Sequence, residues 1–317
     1  MLCGGLGVGE LPAMDLPAGS VMSWQEERAD ALLASIRDAQ AKGAEACVVA
    51  GGLFARGFVA QSLYKRVARI VASSPLPVTY LPLADEATDL ECRLDESLPW
   101  VARVSEGACR EALPGLFVRD IGEWLTFAEV AGKFDAPTVL RRDTELALVD
   151  RGVIRELGRL EPNGFAGSPY GGYALFDLGT DGVEDFAWVE RAEHPCVVRR
   201  VRLDGSVGAE DVAVAVGNAV KDVERSACLR IELVSNLSLG TYVNAGDLRS
   251  RIGRHFAYVE VVDLCSVDLD VDELDADLSL LAEFVRQVHD DGSLSETEKA
   301  RIIRCGWSVL NGKEPVE

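Results

Sequence analysis

Apolar residues recur every three or four positions in two segments of the first third of the chain. One segment starts at a capping-box pattern, SWQE at 23–26, and the other covers about 60–73. This spacing is typical of amphipathic helices. Apolar runs of strand length, EACVVAGG at 45–52 and PVTYLPLA at 77–84, alternate with them. The order predicts a mostly parallel sheet with helical crossovers.

The middle of the chain favours strands joined by turns. The strand candidates are WVARV (100–104), GLFVRD (115–120), PTVLRR (137–142) and a Gly-rich stretch from 165 to 190, with helical pieces near 121–131. Gly-rich turns between alternating segments are typical of hairpins.

After a predicted boundary at residue 193, strands and helices alternate again. The strands CVVRRVRLDG, ACLRIELVSN and FAYVEVVDLCSVDL are separated by helical patterns, and two helices close the chain at about 272–289 and 295–310. The sequence therefore predicts an α/β (α+β) protein with two domains, 1–193 and 194–317.

Composition narrows the classes of partner. With 32 Lys and Arg against 52 Asp and Glu, the net charge is −20. Such a chain is poorly suited to anionic membranes, and we expect it to bind DNA only weakly or indirectly. No apolar run approaches the length that spans a bilayer, and we expect no signal peptide. The eight Cys form no CxxC pair, which predicts reduced thiols in a cytoplasmic protein.

The opening GGLGVG stretch raises the question of nucleotide binding. Its glycines at 5, 7 and 9 follow a GxGxG spacing, one residue short of the dinucleotide fingerprint. A Pro-containing loop follows instead of a helix, and the Lys-Ser/Thr pair of a P-loop is missing from this stretch. The stretch therefore does not predict a phosphate-binding loop.

Five segments carry a more specific pattern. They are GGLGVGE at 4–10, AGGLFARG at 50–57, PVTYLPLADE at 77–86, RGVIRELGRLEP at 151–162 and FAGSP at 165–169. Their order and spacing resemble the calcineurin-like metallophosphoesterases of the SbcD/YhaO type, which are DNA-repair exonuclease subunits. In that family the corresponding motifs are SDLHLG, AGDLFDRG, PVxxIPGNHD, LGHIH and AGSP. The resemblance covers about 1–190 and implies a β-sandwich flanked by helices; the second domain resembles the family's smaller α/β capping domain.

Every metal-ligand position that the resemblance places has lost its expected residue. The residues that replace the family's Asp, Asn and His ligands are Gly5, Gly7, Gly52, Ala55, Ala84, Asp85, Glu86, Val153 and Arg155. Hydrolysis by two metal ions needs carboxylate and imidazole ligands, which Gly, Ala and Val do not supply. We therefore expect neither the family's Mn²⁺ nor any other cofactor, and no catalytic residues.

The resemblance implies a catalytically inactive relative that works through protein contacts. The active members of the family assemble with an SbcC-like coiled-coil ATPase, which their C-terminal helices grip. The resemblance also implies a homodimer. Two alternatives stay open. Asp85, Glu86 and Asp89 would form a rebuilt cation site in an active phosphoesterase or nuclease, or the vacated cleft would bind nucleic acid or a nucleotide, with Arg155 on a phosphate.

Three other charged runs have simpler interpretations. DLDVDELDAD at 268–277 has Glu273 where a calcium loop needs Gly and Ser279 where it needs Glu, so an acidic surface is predicted. The basic runs RRVR at 199–202 and RSRIGRH at 249–255 are predicted to be ordinary exposed faces, with phosphate contacts as the alternative.

Overall fold

The computed structural model describes residues 1–16, 18–55, 57–82, 100–101, 109–121, 125–142, 145–203, 209–238, 243–268 and 279–310. The chain divides into two compact units, Met1–Pro195 and Cys196–Glu317. The boundary predicted from the sequence falls after residue 193. No helix in the described ranges is long and apolar enough to cross a bilayer.

The first unit contains two five-stranded sheets. Its strands are β1 (Leu2–Cys3), β2 (Cys47–Val49), β3 (Val78–Tyr80), β4 (Cys109–Leu113), β5 (Leu116–Asp120), β6 (Thr138–Arg142), β7 (Glu145–Asp150), β8 (Val153–Leu157), β9 (Gly172–Gly179) and β10 (Gly182–Glu190). The first sheet has the order β10-β9-β1-β2-β3, and the second runs β4 to β8 in sequence order. Strands β1, β2 and β3 are parallel, as predicted.

Apolar side chains fill the space between the two sheets. Leu2 and Val48 of the first sheet belong to one buried cluster with Val139 and Leu148 of the second. Helices α1 (Ala18–Ala41) and α2 (Gln61–Ala72) cover the other face of the first sheet, and the short α3 (Phe127–Val130) packs on the second. The predicted α+β class, a sandwich flanked by helices, is confirmed.

The second unit is a smaller α/β arrangement. Its elements are β11 (Cys196–Arg202), α4 (Ala209–Val220), β12 (Cys228–Val234), β13 (Asn236–Ser238), α5 (Ala245–Ile252), β14 (Tyr258–Asp263), β15 (Ser266–Asp268), α6 (Leu280–Asp290) and α7 (Glu296–Leu310). Strands β11, β12 and β14 form a parallel sheet, and β13 pairs with β15. Leu229 and Ile231 of the central strand are fully buried in its core.

Some elements differ from the sequence prediction. Helix α1 begins at Ala18, so the Ser23–Glu26 pattern lies inside it and does not cap it. The predicted strand 256–269 is two strands, because the chain leaves the sheet at Leu264 and Cys265. The hairpin β7–β8 was not expected at all. Much of the acidic run 268–277 lies outside the described residues.

Candidate functional site

Two glycine turns meet where β1 and β2 end. Because the strands are parallel, their carboxyl ends lie at one edge of the sheet. The Gly5 amide donates to the Gly51 carbonyl at 3.2 Å, and the Gly7 amide donates to the Gly52 carbonyl at 2.8 Å. These backbone hydrogen bonds hold the first turn directly against the second.

The turns leave no space for side chains. Gly5, Gly7 and Gly52 all have φ near +60°, a left-handed conformation that favours glycine. A Cβ atom on Gly52 would lie 3.1 Å from the Cα of Gly5. At these positions glycine therefore satisfies both the backbone conformation and the close approach of the two turns.

The side chain of Arg159 covers the first turn. Its Nε donates to the Gly5 carbonyl at 3.1 Å, and its Nη2 forms an ion pair with the Glu10 carboxylate. A Cβ atom on Gly5 would lie 2.9 Å from Cγ of Arg159, and one on Gly7 would lie 2.6 Å from Nη2. Arg159 therefore fills the space that side chains at both glycine positions would need.

The two residues that the resemblance aligns with its last metal ligands, Val153 and Arg155, lie in the second sheet, whereas the glycine turns follow strands of the first. Val153 and Arg155 lie within β8, where Val153 is exposed and the Arg155 guanidinium lies 5.1 Å from the ring centroid of Phe186. The residue that reaches the glycine turns is Arg159, which lies two positions beyond the end of β8. The packing of Arg155 against Phe186 does not favour a contact between Arg155 and a phosphate at this edge.

A second arginine lies where β3 ends. The Arg141 side chain is fully buried, and its guanidinium pairs with both carboxylate oxygens of Asp120. Its Nη1 donates to the carbonyl of Leu81 and, at 3.0 Å, to that of Pro82. The two carbonyl groups that follow β3 therefore accept hydrogen bonds from an arginine that is already paired with Asp120.

Ala84 and the proposed alternative cation ligands Asp85, Glu86 and Asp89 lie outside the described residues.

Helix α1 fixes the first turn from the other side. Buried Arg28 donates from Nε to the Leu6 carbonyl at 3.1 Å and from Nη1 to Oδ1 of Asn163 at 2.6 Å. Gln25 donates to the Gly9 carbonyl at 3.0 Å. Side-chain hydrogen bonds therefore join the first turn to α1, and backbone hydrogen bonds join it to the second turn.

Glu161 is the buried carboxyl group next to this region. Burial raises its pKa to about 7, while a hydrogen bond from the Glu193 amide and the charge of Arg28 oppose the shift. Its own backbone carbonyl accepts from Arg28 at 3.4 Å. The carboxyl oxygen accepts the Glu193 amide at 2.9 Å, which gives Glu161 a structural role in tying down the chain at 193.

A cleft of about 330 Å³ opens beside Arg159. Its walls are the ends of β6, β7 and β8 and the Gly-rich turn that precedes β9. Among the described residues, the polar side chains that line it are Arg142, Glu145, Glu156, Arg159, Asn163, Ser168 and Tyr170. It therefore carries both charges and an aromatic ring.

The residues at the sheet edge do not fit a two-metal centre. Gly5, Gly7 and Gly52 supply no side-chain ligand, and Arg159 has only N–H donors. Within the described ranges, no three His, Cys, Asp or Glu residues are grouped so that they could hold a metal ion. The described residues at this edge therefore offer no ligand set for a metal-dependent step.

The two basic runs are held mainly by ion pairs. Arg199 pairs with Asp222 at 3.2 Å and Arg200 with Glu232 at 2.9 Å. In the second run, Arg251 pairs with Asp247 at 2.8 Å. These partners favour the simpler interpretation of ordinary exposed faces.

No protein-family model matches this sequence, and no curated protein matches it either.

Proposed function

We propose that this protein is a catalytically inactive relative of the SbcD/YhaO metallophosphoesterases and acts through protein–protein contacts. The observation that carries the proposal is the closed sheet edge. Gly5 and Gly52 pack backbone against backbone, and Arg159 fills the space beside them. An active member would need ligands for two cations at this edge.

The placement of Arg159 also improves the match to the family motifs. When the Gly of LGHIH is placed on Gly158, its two His positions fall on Arg159 and Glu161. The alignment predicted from the sequence alone puts these two positions on Val153 and Arg155. It is supported by the contacts of Arg159 with the turn that carries Gly5, where the resemblance expects ligands to meet.

The positive charge of Arg159, at a position where the family has a histidine ligand, suits a non-catalytic role. A guanidinium stays protonated and offers only donors, so it cannot coordinate a cation and would repel one. Here it satisfies the Gly5 carbonyl and pairs with Glu10. A positive side chain in a former metal site thus stabilises the loops while opposing metal binding.

The closing helices supply the proposed partner surface. A short connection makes α6 and α7 antiparallel, and they pack closely, since a Cβ atom on Gly306 would meet the ring of Phe284. Their free ends carry Leu280, Val309 and Leu310, all exposed. We propose that this closing-helix surface (Leu280, Val309, Leu310) binds the coiled coil of an SbcC-like ATPase.

The catalytic half of the proposal is tested with the full chain. Calorimetric titration with Mn²⁺ and turnover of a chromogenic phosphodiester should both give no signal. Turnover that depends on Mn²⁺ and is lost in Asp85→Ala would instead support the alternative site at Asp85, Glu86 and Asp89.

The partner half is tested with matched leucine variants. Co-purification with a co-expressed SbcC-like coiled-coil ATPase should be lost in Leu280→Asp and kept in Leu11→Asp. These leucines are 72% and 71% exposed and lie in different units, so the control matches the size and exposure of the change. A complex that survives Leu280→Asp would contradict this surface, and a homodimer without ATPase would contradict this partner.

A further inference from the structure

The cleft beside Arg159 presents two half-exposed guanidinium groups. Arg159 uses Nε and Nη2 for the Gly5 carbonyl and for Glu10. Arg142 uses Nε and Nη2 for a single oxygen of Glu145. In each case Nη1 donates no hydrogen bond to a described residue, and both side chains line the cleft. The Arg142 guanidinium also lies 5.3 Å from the ring centroid of Phe127, which lines the cleft as well.

Unused guanidinium donors in a concave site favour an oxyanion. Arginine binds carboxylate and phosphate groups through parallel N–H donors, and two arginines facing one cleft can share such a group. Glu10 and Glu145 already hold one end of each guanidinium, so a ligand anion would add to these pairs or displace them.

The other walls define the size and polarity of the ligand. A volume of about 330 Å³ suits a small organic molecule. The ring of Tyr170 is 41% exposed at the cleft and offers an apolar face. Gly167 has no neighbour within 4 Å of its missing side chain, so a ligand can approach the backbone there.

The carboxylates disfavour a polyanion. Glu145 and Glu156 line the same cleft as the two arginines, so the formal charge of these four groups is close to zero. The chain as a whole carries −20. A nucleic-acid backbone with many phosphates would be repelled, whereas a ligand with one anionic group would not.

We propose that this cleft binds a small organic anion whose phosphate or carboxylate group is held by Arg159 and Arg142 and whose body lies against Tyr170. The negative charge of Glu10, which pairs with Nη2 of Arg159, competes with a second anion on the same guanidinium. This inference does not depend on a protein partner or on the absence of a metal.

The test is calorimetric titration of the full chain in metal-free buffer with adenosine 5′-monophosphate, benzoate and inorganic phosphate. At least one organic anion should bind with a Kd below about 1 mM, and more tightly than inorganic phosphate. Preference for the nucleotide or for benzoate distinguishes a phosphate ligand from a carboxylate ligand.

Variants separate the site from general charge effects. Arg159→Gln and Arg142→Gln should each weaken binding about tenfold, a change of about 1.4 kcal/mol. Arg151→Gln, at an exposed arginine of the β7–β8 turn, should leave binding unchanged. Glu10→Gln removes the competitor and should tighten binding several-fold.

Three results would overturn the proposal. They are no saturable binding of any probe up to about 10 mM, equal weakening by Arg151→Gln and Arg159→Gln, or weaker binding in Glu10→Gln. Since Arg142 lies outside the glycine turns, its variant keeps the test valid if Arg159→Gln does not fold.

Discussion

Gly5 and Gly52 lie so close that a Cβ atom on Gly52 would come within 3.1 Å of the Gly5 Cα. The two residues come from turns that follow neighbouring parallel strands, and backbone hydrogen bonds join these turns. The approach favours glycine at position 52, because a Cβ atom there would press against the Gly5 backbone. A Cβ atom on Gly5 would instead meet the side chain of Arg159.

Returning a carboxylate to this edge should therefore destabilise the protein. Gly52→Asp places a side chain at φ +62 and against Gly5, and we expect the free energy of unfolding to fall by about 2 kcal/mol or more. Urea denaturation measures the change. Gly19→Asp is the control, because Gly19 is exposed in α1 with no atom within 4 Å of a new Cβ. Equal stability of Gly52→Asp and wild type would contradict the described packing.

Arg141 should be much more costly to remove than its neighbour Arg142. Arg141→Met leaves the Asp120 carboxylate and two backbone carbonyls without their donor, which should cost about 3–5 kcal/mol of unfolding free energy. The neighbouring Arg142→Met removes a half-exposed ion pair and should cost less than about 1 kcal/mol. Thermal or urea unfolding compares the two. Similar losses would show that Arg141 is not a buried, fully used donor.

Glu161 should give the stability a measurable pH dependence. Its pKa rises from 4.5 to about 7 in the folded state because the carboxyl group is buried. The folded state thus binds the proton more tightly than the unfolded state, so this stabilisation is complete below about pH 4.5 and is lost as the pH rises through 7.

Glu161→Gln removes this titration. Relative to wild type, the variant should gain about 3 kcal/mol between pH 4 and pH 8, measured as the difference between two urea series. Glu156→Gln, at an exposed position of β8, should show no such gain. Parallel pH profiles of wild type and Glu161→Gln would contradict a buried, titrating Glu161.

The cysteines report on the same packing by their reactivity. Cys109 is exposed on β4, whereas burial raises the pKa of the Cys265 thiol to about 12. Because the thiolate is the reactive form, iodoacetamide at pH 8 should label Cys109 in the native protein and Cys265 only after unfolding. Mass spectrometry of timed samples measures both. Labelling of Cys265 at the rate of Cys109 would contradict the described core.

Regular periodicity explains why the helices and parallel strands could be predicted. The predicted apolar stripe of α2, Leu63, Val67, Ile70 and Val71, is buried, and the helix spans Gln61–Ala72 against an expected 60–73. The hairpin β7–β8 was missed because β7 is an apolar run without alternation. Its signal was the two-residue turn at Arg151 and Gly152, both with positive φ.

The contacts of Arg159 and Arg141 could not be predicted from the sequence for a different reason. Arg159 bonds to Gly5, 154 positions away, and Arg141 bonds to the Leu81 carbonyl, 60 positions away. A single arginine in an apolar segment has no period, so its partners emerge only in the folded chain. The glycines at positions 5, 7 and 52 were visible in the sequence, but the side chain that packs beside them was not.

The central claim is that the sheet edge around Gly5 and Gly52 cannot hold cations. The most direct measurement is an anomalous difference map from crystals of the full chain soaked in Mn²⁺. We predict no anomalous peak within coordination distance of the two glycine turns, with the Arg159 guanidinium in its place beside Gly5. A manganese peak at that edge, with Arg159 displaced, would contradict the account.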